Sequence, residues 1–164
     1  MSKKICGVWF FGFSGSGKTH LSRKLSRKTK NSVIVDGDEV RKYVSFDLNH
    51  SKKDREIQIK RIFGISKIVI NSGKFPIISS VYFNNQINEL CKKNKIIPIK
   101  IVRKKFEKVK KFHTTYKKKK NIVGVDIFYP TKLKTSMIIN DNSSEFNKSI
   151  FLLFRDRDLS FSKS

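Results

Sequence analysis

The stretch "ICGVWFFGFSGSGKTHLSRKL", residues 5–25, constrains this chain more than any other. Ile5–Phe11 is an unbroken apolar run bounded by glycine, the pattern of a strand buried on both faces. It runs straight into Gly12–Thr19, which reads G-x-x-x-x-G-K-T with Phe13, Ser14, Gly15 and Ser16 in the gap. Leu21 and Leu25 then recur at helical spacing. Strand, glycine loop and helix in that order separate a phosphate-binding loop from an ordinary glycine-rich turn. Glycines let backbone N–H groups turn inward and form an anion nest at a helix N-terminus. Lys18 supplies a charge between the β- and γ-phosphates, and Thr19 offers a hydroxyl to Mg²⁺. The expectation is a nucleoside triphosphate, ATP or GTP, held by Gly12, Ser14, Gly15, Ser16, Gly17, Lys18, Thr19 and His20.

The rest of the chain repeats the strand–helix alternation. Val33–Val35 ends on carboxylates as a second strand, "DEVRKYV" reads as a helix, and a longer helix follows Ser51, its cap. In that helix Ile57, Arg61, Ile62, Ile65, Ile68 and Val69 fall at helical spacing, and Asn71–Gly73 ends it. "FPIISS", "IIPIKIV" and Thr135–Asn140 read as three more strands, with "NNQINELCKKN" and "SEFNKSIFLLF" as helices. This predicts an α/β three-layer fold: a mainly parallel five-stranded sheet covered on both faces, in one domain of 164 residues. Between Lys111 and Lys134 a segment without clear periodicity carries seven lysines and His113. A lid over phosphates is one reading of it and a solvated loop the other.

Composition adds boundaries. No apolar run approaches the ~20 residues that cross a bilayer. The basic start followed by an apolar run lacks a small-residue cleavage site, so it reads as a strand of a cytoplasmic protein with no membrane partner. Cys6 and Cys91 are far apart, which argues for idle thiols. The net charge of +24 has two readings. One is a polyanionic partner. The other is lysine inflation in a chain rich in Lys, Asn, Ile and Phe and devoid of Ala. Against a nucleic-acid partner, the basic runs "KKKKN" and "VRKKFEKVKK" interleave only Phe106 among their lysines.

"VDGDEVR" places Asp36 and Asp38 around Gly37 at the end of the second strand. One carboxylate would hold Mg²⁺ through water, together with Thr19, while the other would take a proton from an acceptor hydroxyl. A turn that merely caps a helix is the competing reading. Arg41 shares a helix face with Asp38, and Arg55 opens the next helix. Guanidinium forks suit tetrahedral oxyanions, although Arg55 could instead be a surface partner of Asp54.

The blocks "GVWFFGFSGSGKT", "VDGDEVR", "SKKDREIQIKR", "SSVY" and "NIVGVDIFYP", in that order, resemble the adenylylsulfate kinase family from approximately Lys4 to Asp141. The resemblance implies a small P-loop kinase using Mg²⁺ and ATP. It would phosphorylate the ribose 3′-hydroxyl of adenylyl sulfate, with a homodimer left open. It implies catalytic roles for Lys18 and Asp38. The acceptor would be bound by Asp36, Asp38, Arg41, His50, Arg55, Gln58, Ser80, Tyr82, Lys120 and Ile122. Gln58 stands where the family has asparagine, and Lys117, Lys118 and Lys120 fall in the lid.

The departures concentrate at the acceptor. His50 and Ile122 occupy the places of two phenylalanines that sandwich the acceptor's adenine in the family. Phe83 replaces an arginine, and the lid is several residues shorter. Base–aromatic stacking is worth ~1–3 kcal/mol per base, so a smaller base competes with adenine. A related kinase that acts on cytidine diphosphoramidate in capsule modification sets the alternative acceptor.

Overall fold

The computed structural model describes residues 4–117, 120–130 and 133–154; Lys118 of the expected lid lies outside them. The elements run β1 (Gly7–Phe11), α1 (Lys18–Ser26), β2 (Ser32–Asp36), α2 (Gly37–Tyr43), α3 (Lys52–Asn71), β3 (Phe75–Ser80), α4 (Asn85–Lys93), β4 (Ile96–Arg103) and α5 (Phe106–Phe112). A 3₁₀ turn (Thr114–Lys117), β5 (Ser136–Asn140) and α6 (Ser144–Phe154) complete them.

The five strands form one sheet in the order β2-β3-β1-β4-β5, and every neighbouring pair is parallel. β1 lies at its centre with all its residues buried. Because side chains alternate along a strand, Val8 and Phe10 enter one core layer with Leu21, Leu25, Phe146 and Ile150 of α1 and α6. Trp9 and Phe11 enter the other layer, with Ile59, Ile62, Ile87 and Cys91 of α3 and α4. Each such large side chain contributes roughly 1.5–3 kcal/mol on burial. From β1 the chain fills one side of the sheet with β2 and β3, then crosses to β4 and β5. The C-terminal end of β1 is thus a topological switch point, where open parallel sheets form a crevice.

α3 begins as its sequence predicts. Ser51 Oγ accepts from the Asp54 N–H at 3.1 Å and donates to the Asp54 carboxylate at 2.7 Å, a local cap of the usual kind. Its buried face differs from the expected one: Gln58, Ile59, Ile62 and Ser66 point inward, while Ile68 is 67% exposed. Isoleucine occurs on every side of this helix, which blurs the periodicity. The segment expected to be irregular from Lys111 also begins inside α5 and continues into the 3₁₀ turn. Phe106 and Val109 are half-buried there and no residue of α5 is fully buried, and lysines around them hid the short helix. Both cysteines are free, and burial pushes the Cys91 thiol up to about 12. Among the described residues no helix is long and apolar enough to cross a membrane.

Candidate active site

At the C-terminal edge of β1, β2 and β3 lies a cleft of about 780 Å³, within the range of ligand pockets. Ser14, Gly15, Gly17, Lys18, Thr19 and His20 line one end, and Arg41, His50, Arg55, Gln58, Tyr82, Lys120 and Ile122 the other. Asp36, Asp38 and Ser80 also line it. Of the expected residues, Gly12 and Ser16 stay behind it. Both are buried, Gly12 packing on the Ile101 carbonyl and Ser16 beneath the loop.

Lys18 is buried, and its Nζ donates to the carbonyls of Gly12 and Phe13 at 2.9 Å each. Burial lowers its pKa to about 8, with Asp38 and then Asp36 opposing the shift. Asp36 caps α2 by accepting from the Asp38 N–H at 2.9 Å. The capping role weighed in the sequence is therefore present, and it coexists with a place in the cleft. The Ser79 hydroxyl donates to Asp36 Oδ2 at 2.7 Å, and Thr19 Oγ1 lies 3.4 Å from the same oxygen. A hydroxyl and a carboxylate at this separation offer the hard oxygen ligands Mg²⁺ takes, and it usually keeps waters and phosphate oxygens as the remainder. No cluster of three or more His, Cys, Asp or Glu side chains occurs among the described residues, and a phosphate-bound Mg²⁺ needs none. The donor set fits that ion.

Asp38 is exposed to the cleft. Its charge is felt by Lys18 on one side and by Arg41 and Arg55 on the other, so it stands between the two ends. Arg41 uses Nη1 to hold the carbonyls of Leu48 (3.3 Å) and Asn49 (2.8 Å). Arg61 grips the same loop from outside through Asp47 and the Val44 carbonyl. Arg55 bonds the His50 carbonyl at 3.1 Å and the Asn121 carbonyl at 2.8 Å, joining the loop that carries His50 to the expected lid. It forms no ion pair with Asp54 among the described residues, so the surface-pair reading falls away. Burial lowers the pKa of both arginines, and for Arg55 the nearby Arg41 lowers it further. The two guanidinium groups are thus near enough for one charge to act on the other.

Other expected residues line the cleft and also carry structural bonds. The Ser80 hydroxyl accepts from Trp9 Nε1 at 2.8 Å and donates to the Tyr82 carbonyl at 2.7 Å. Gln58 donates from Nε2 to the Gly37 carbonyl at 3.0 Å, pinning α3 to the acidic turn. His20 pairs with Asn147 across 2.6 Å. Phe83 is fully buried and stacks on Phe11 at 4.2 Å, so it presents nothing to a ligand. Ile122 is 5% exposed, in a turn closed by the Asp126 carboxylate on its N–H at 3.0 Å.

Sequence reading missed the residues behind the loop. Tyr116 donates to the Ser14 carbonyl and Asn140 to the Ser16 carbonyl, while Phe13 stacks on Tyr129 and touches Phe106. No local motif marks them, because each reaches the loop from a distant part of the chain.

The model of the family described as "Adenylylsulphate kinase" matches residues 4–129, the span that carries both ends of this cleft. The chain belongs to the adenylylsulphate kinase family. An adenylyl-sulfate kinase of Bacteroides thetaiotaomicron is 37% identical over 88 residues, which is 51% of this chain and 44% of that protein. The matching stretch thus spans under half of that relative's length. An APS kinase of Mycobacterium tuberculosis, solved in complex with AMPPNP and APS, superposes with a TM-score of 0.76 at 20% identity, covering 92% of this chain and 98% of that one. A sugar kinase from Janibacter sp. reaches 0.65 at 12% identity, covering 93% and 95%. Adenylylsulphate kinase membership is therefore carried by the family match, and the superpositions show the fold alone.

Proposed function

We propose that the protein is an ATP-dependent kinase that moves the γ-phosphoryl group of ATP to the ribose 3′-hydroxyl of a nucleotide-linked anion, with adenylyl sulfate as the family's acceptor. One observation carries this reading: Asp38 stands in a single cleft between a phosphate loop and a paired-arginine seat. Donor and acceptor would approach it from opposite ends.

In this mechanism the loop amides and Lys18 cradle the donor phosphates, and Lys18 stabilises charge gathering on the β–γ bridging oxygen as that P–O bond breaks. Asp38 accepts the proton of the acceptor hydroxyl as its oxygen bonds to phosphorus. Arg41 and Arg55 orient the acceptor through its anionic end. Thr19 and Asp36 would hold Mg²⁺, which supplies charge neutralisation on the phosphate oxygens when bound.

His50 and Ile122 favour a second reading within the same reaction. Ile122 lines the cleft with an aliphatic side chain only 5% exposed and His50 with a small ring, less stacking area than two phenylalanines would give a purine. A pyrimidine nucleotide such as cytidine diphosphoramidate suits that narrower clamp. The test is a reaction with γ-labelled ATP and each acceptor in turn. Label in the 3′-phosphorylated nucleotide supports the proposal. Label released only as inorganic phosphate, with every nucleotide acceptor inert, contradicts it.

A further inference from the structure

A trans peptide points its C=O and N–H to opposite sides. Whatever holds a carbonyl on the outer face of the phosphate loop therefore aims the next residue's N–H inward. Tyr116 Oη donates to the Ser14 carbonyl at 2.9 Å, which sets the N–H of Gly15. Asn140 Nδ2 donates to the Ser16 carbonyl at 2.8 Å, which sets the N–H of Gly17. These two glycines have φ of 78° and 104°, in the region that lets a peptide turn with least steric resistance. The bonds from behind thus fall on the two peptides most free to flip.

Both donors are themselves fixed. The Tyr116 ring packs edge-on against Phe106 at 5.5 Å and His113 at 5.8 Å. Asn140 is 3% exposed, and its Oδ1 accepts from the Asn142 N–H at 3.0 Å. Neither side chain is among those lining the cleft. The carbonyls of Gly12 and Phe13 are already occupied by Lys18 and that of Gly15 meets Arg103 Nη1 at 3.4 Å, so the loop is anchored at successive peptides by groups of four different elements.

We propose that Tyr116 and Asn140 are positioning residues for the donor phosphates, locking the Ser14–Gly15 and Ser16–Gly17 peptides so that their amides face the ligand. The proposal rests on the ATP reading above. Burial pushes the Tyr116 phenol up to about 12, so its proton stays available at neutral pH. Tyr116 also lies just beyond α5, which ties the order of the loop to the segment that leads into the lid.

Tyr116→Phe removes one hydroxyl and keeps the ring contacts; Asn140→Asp removes the donor and keeps the acceptor. Dissociation constants for MgATP, inorganic tripolyphosphate and adenylyl sulfate are measured by calorimetry, with the melting temperature of each ligand-free protein. Tyr116→Phe should weaken MgATP about five- to tenfold, the worth of one hydrogen bond, and Asn140→Asp more than that, because it turns a buried carboxylate toward the Ser16 carbonyl. Tripolyphosphate should weaken by the same factor, since the nest contacts phosphate and not base, while adenylyl sulfate binding stays within about twofold. Unchanged MgATP affinity in Tyr116→Phe overturns the proposal, as does a loss confined to MgATP with tripolyphosphate spared. Equal losses for donor and acceptor alongside a lowered melting temperature also overturn it, by showing a merely structural role. If Asn140→Asp does not fold, Tyr116→Phe decides alone. A wild-type protein that binds neither MgATP nor tripolyphosphate defeats the ATP reading and this proposal together; normal wild-type binding with unaffected variants defeats only this one.

Discussion

At the proposed donor end of the cleft a backbone loop is held in shape, with carbonyls tied back by Lys18, Tyr116 and Asn140. At the proposed acceptor end it is side chain: two arginines, a histidine and an isoleucine. A backbone site demands glycines at fixed intervals and tolerates little change. A side-chain site keeps its loops while single substitutions alter what fits. On the proposed reading, chemistry and selectivity are therefore separable in this fold.

The largest effect expected is at the donor end. Lys18→Ala should abolish turnover without unfolding the protein, because the charge facing the transferring phosphoryl is lost. Turnover at the wild-type rate, measured by coupled ADP release, would show that Lys18 has no part in the transfer. At the junction, Asp38→Asn should lower kcat by ~10²–10⁴-fold, the worth of a positioned base, and leave the ATP dissociation constant nearly unchanged. Loss of stability with kcat intact would reassign Asp38 to the α2 turn.

These two residues were legible because their signals are local. Lys18 belongs to an eight-residue motif, and Asp38 to a turn at a strand end. The sheet was legible for a similar reason, since continuous apolar runs such as Ile5–Phe11 and Phe75–Ile78 admit few alternatives. What stayed hidden is tertiary. α5 shows too few apolar residues to announce itself. The bond from Arg55 to Asn121 joins positions far apart in sequence. Nothing near Tyr116 says that its hydroxyl meets Ser14. Ser80 lines the cleft as expected, and its hydroxyl also links Trp9 to the Tyr82 carbonyl, an arrangement that only the packed core could reveal.

A smaller effect separates the two ends by pH. Lys18 falls from 10.5 to about 8 in the folded protein. Between those values the unfolded chain holds more protons, so this residue makes stability rise with pH. Donor binding runs the other way, because phosphates require the charged amine. MgATP affinity should weaken by up to about tenfold per pH unit above 8, with proton uptake on binding. Calorimetry in buffers of different ionisation enthalpy measures that uptake, and affinity that is flat from pH 7.5 to 9.5 would show that Lys18 is already charged.

The separation itself is tested most directly by competition. Adenylyl sulfate and a cytidine-linked diphosphate anion are supplied together at equal concentration with labelled ATP, to wild type and to the His50→Phe, Ile122→Phe double variant. Rebuilding two aromatic faces should raise the ratio of adenine to cytidine product by about tenfold or more. The gain should come through KM for the acceptor, with kcat and KM for ATP held, because the base is remote from the transferring phosphoryl group. A product ratio that is unchanged or falls, or a shift carried by kcat or by KM for ATP, would contradict the account.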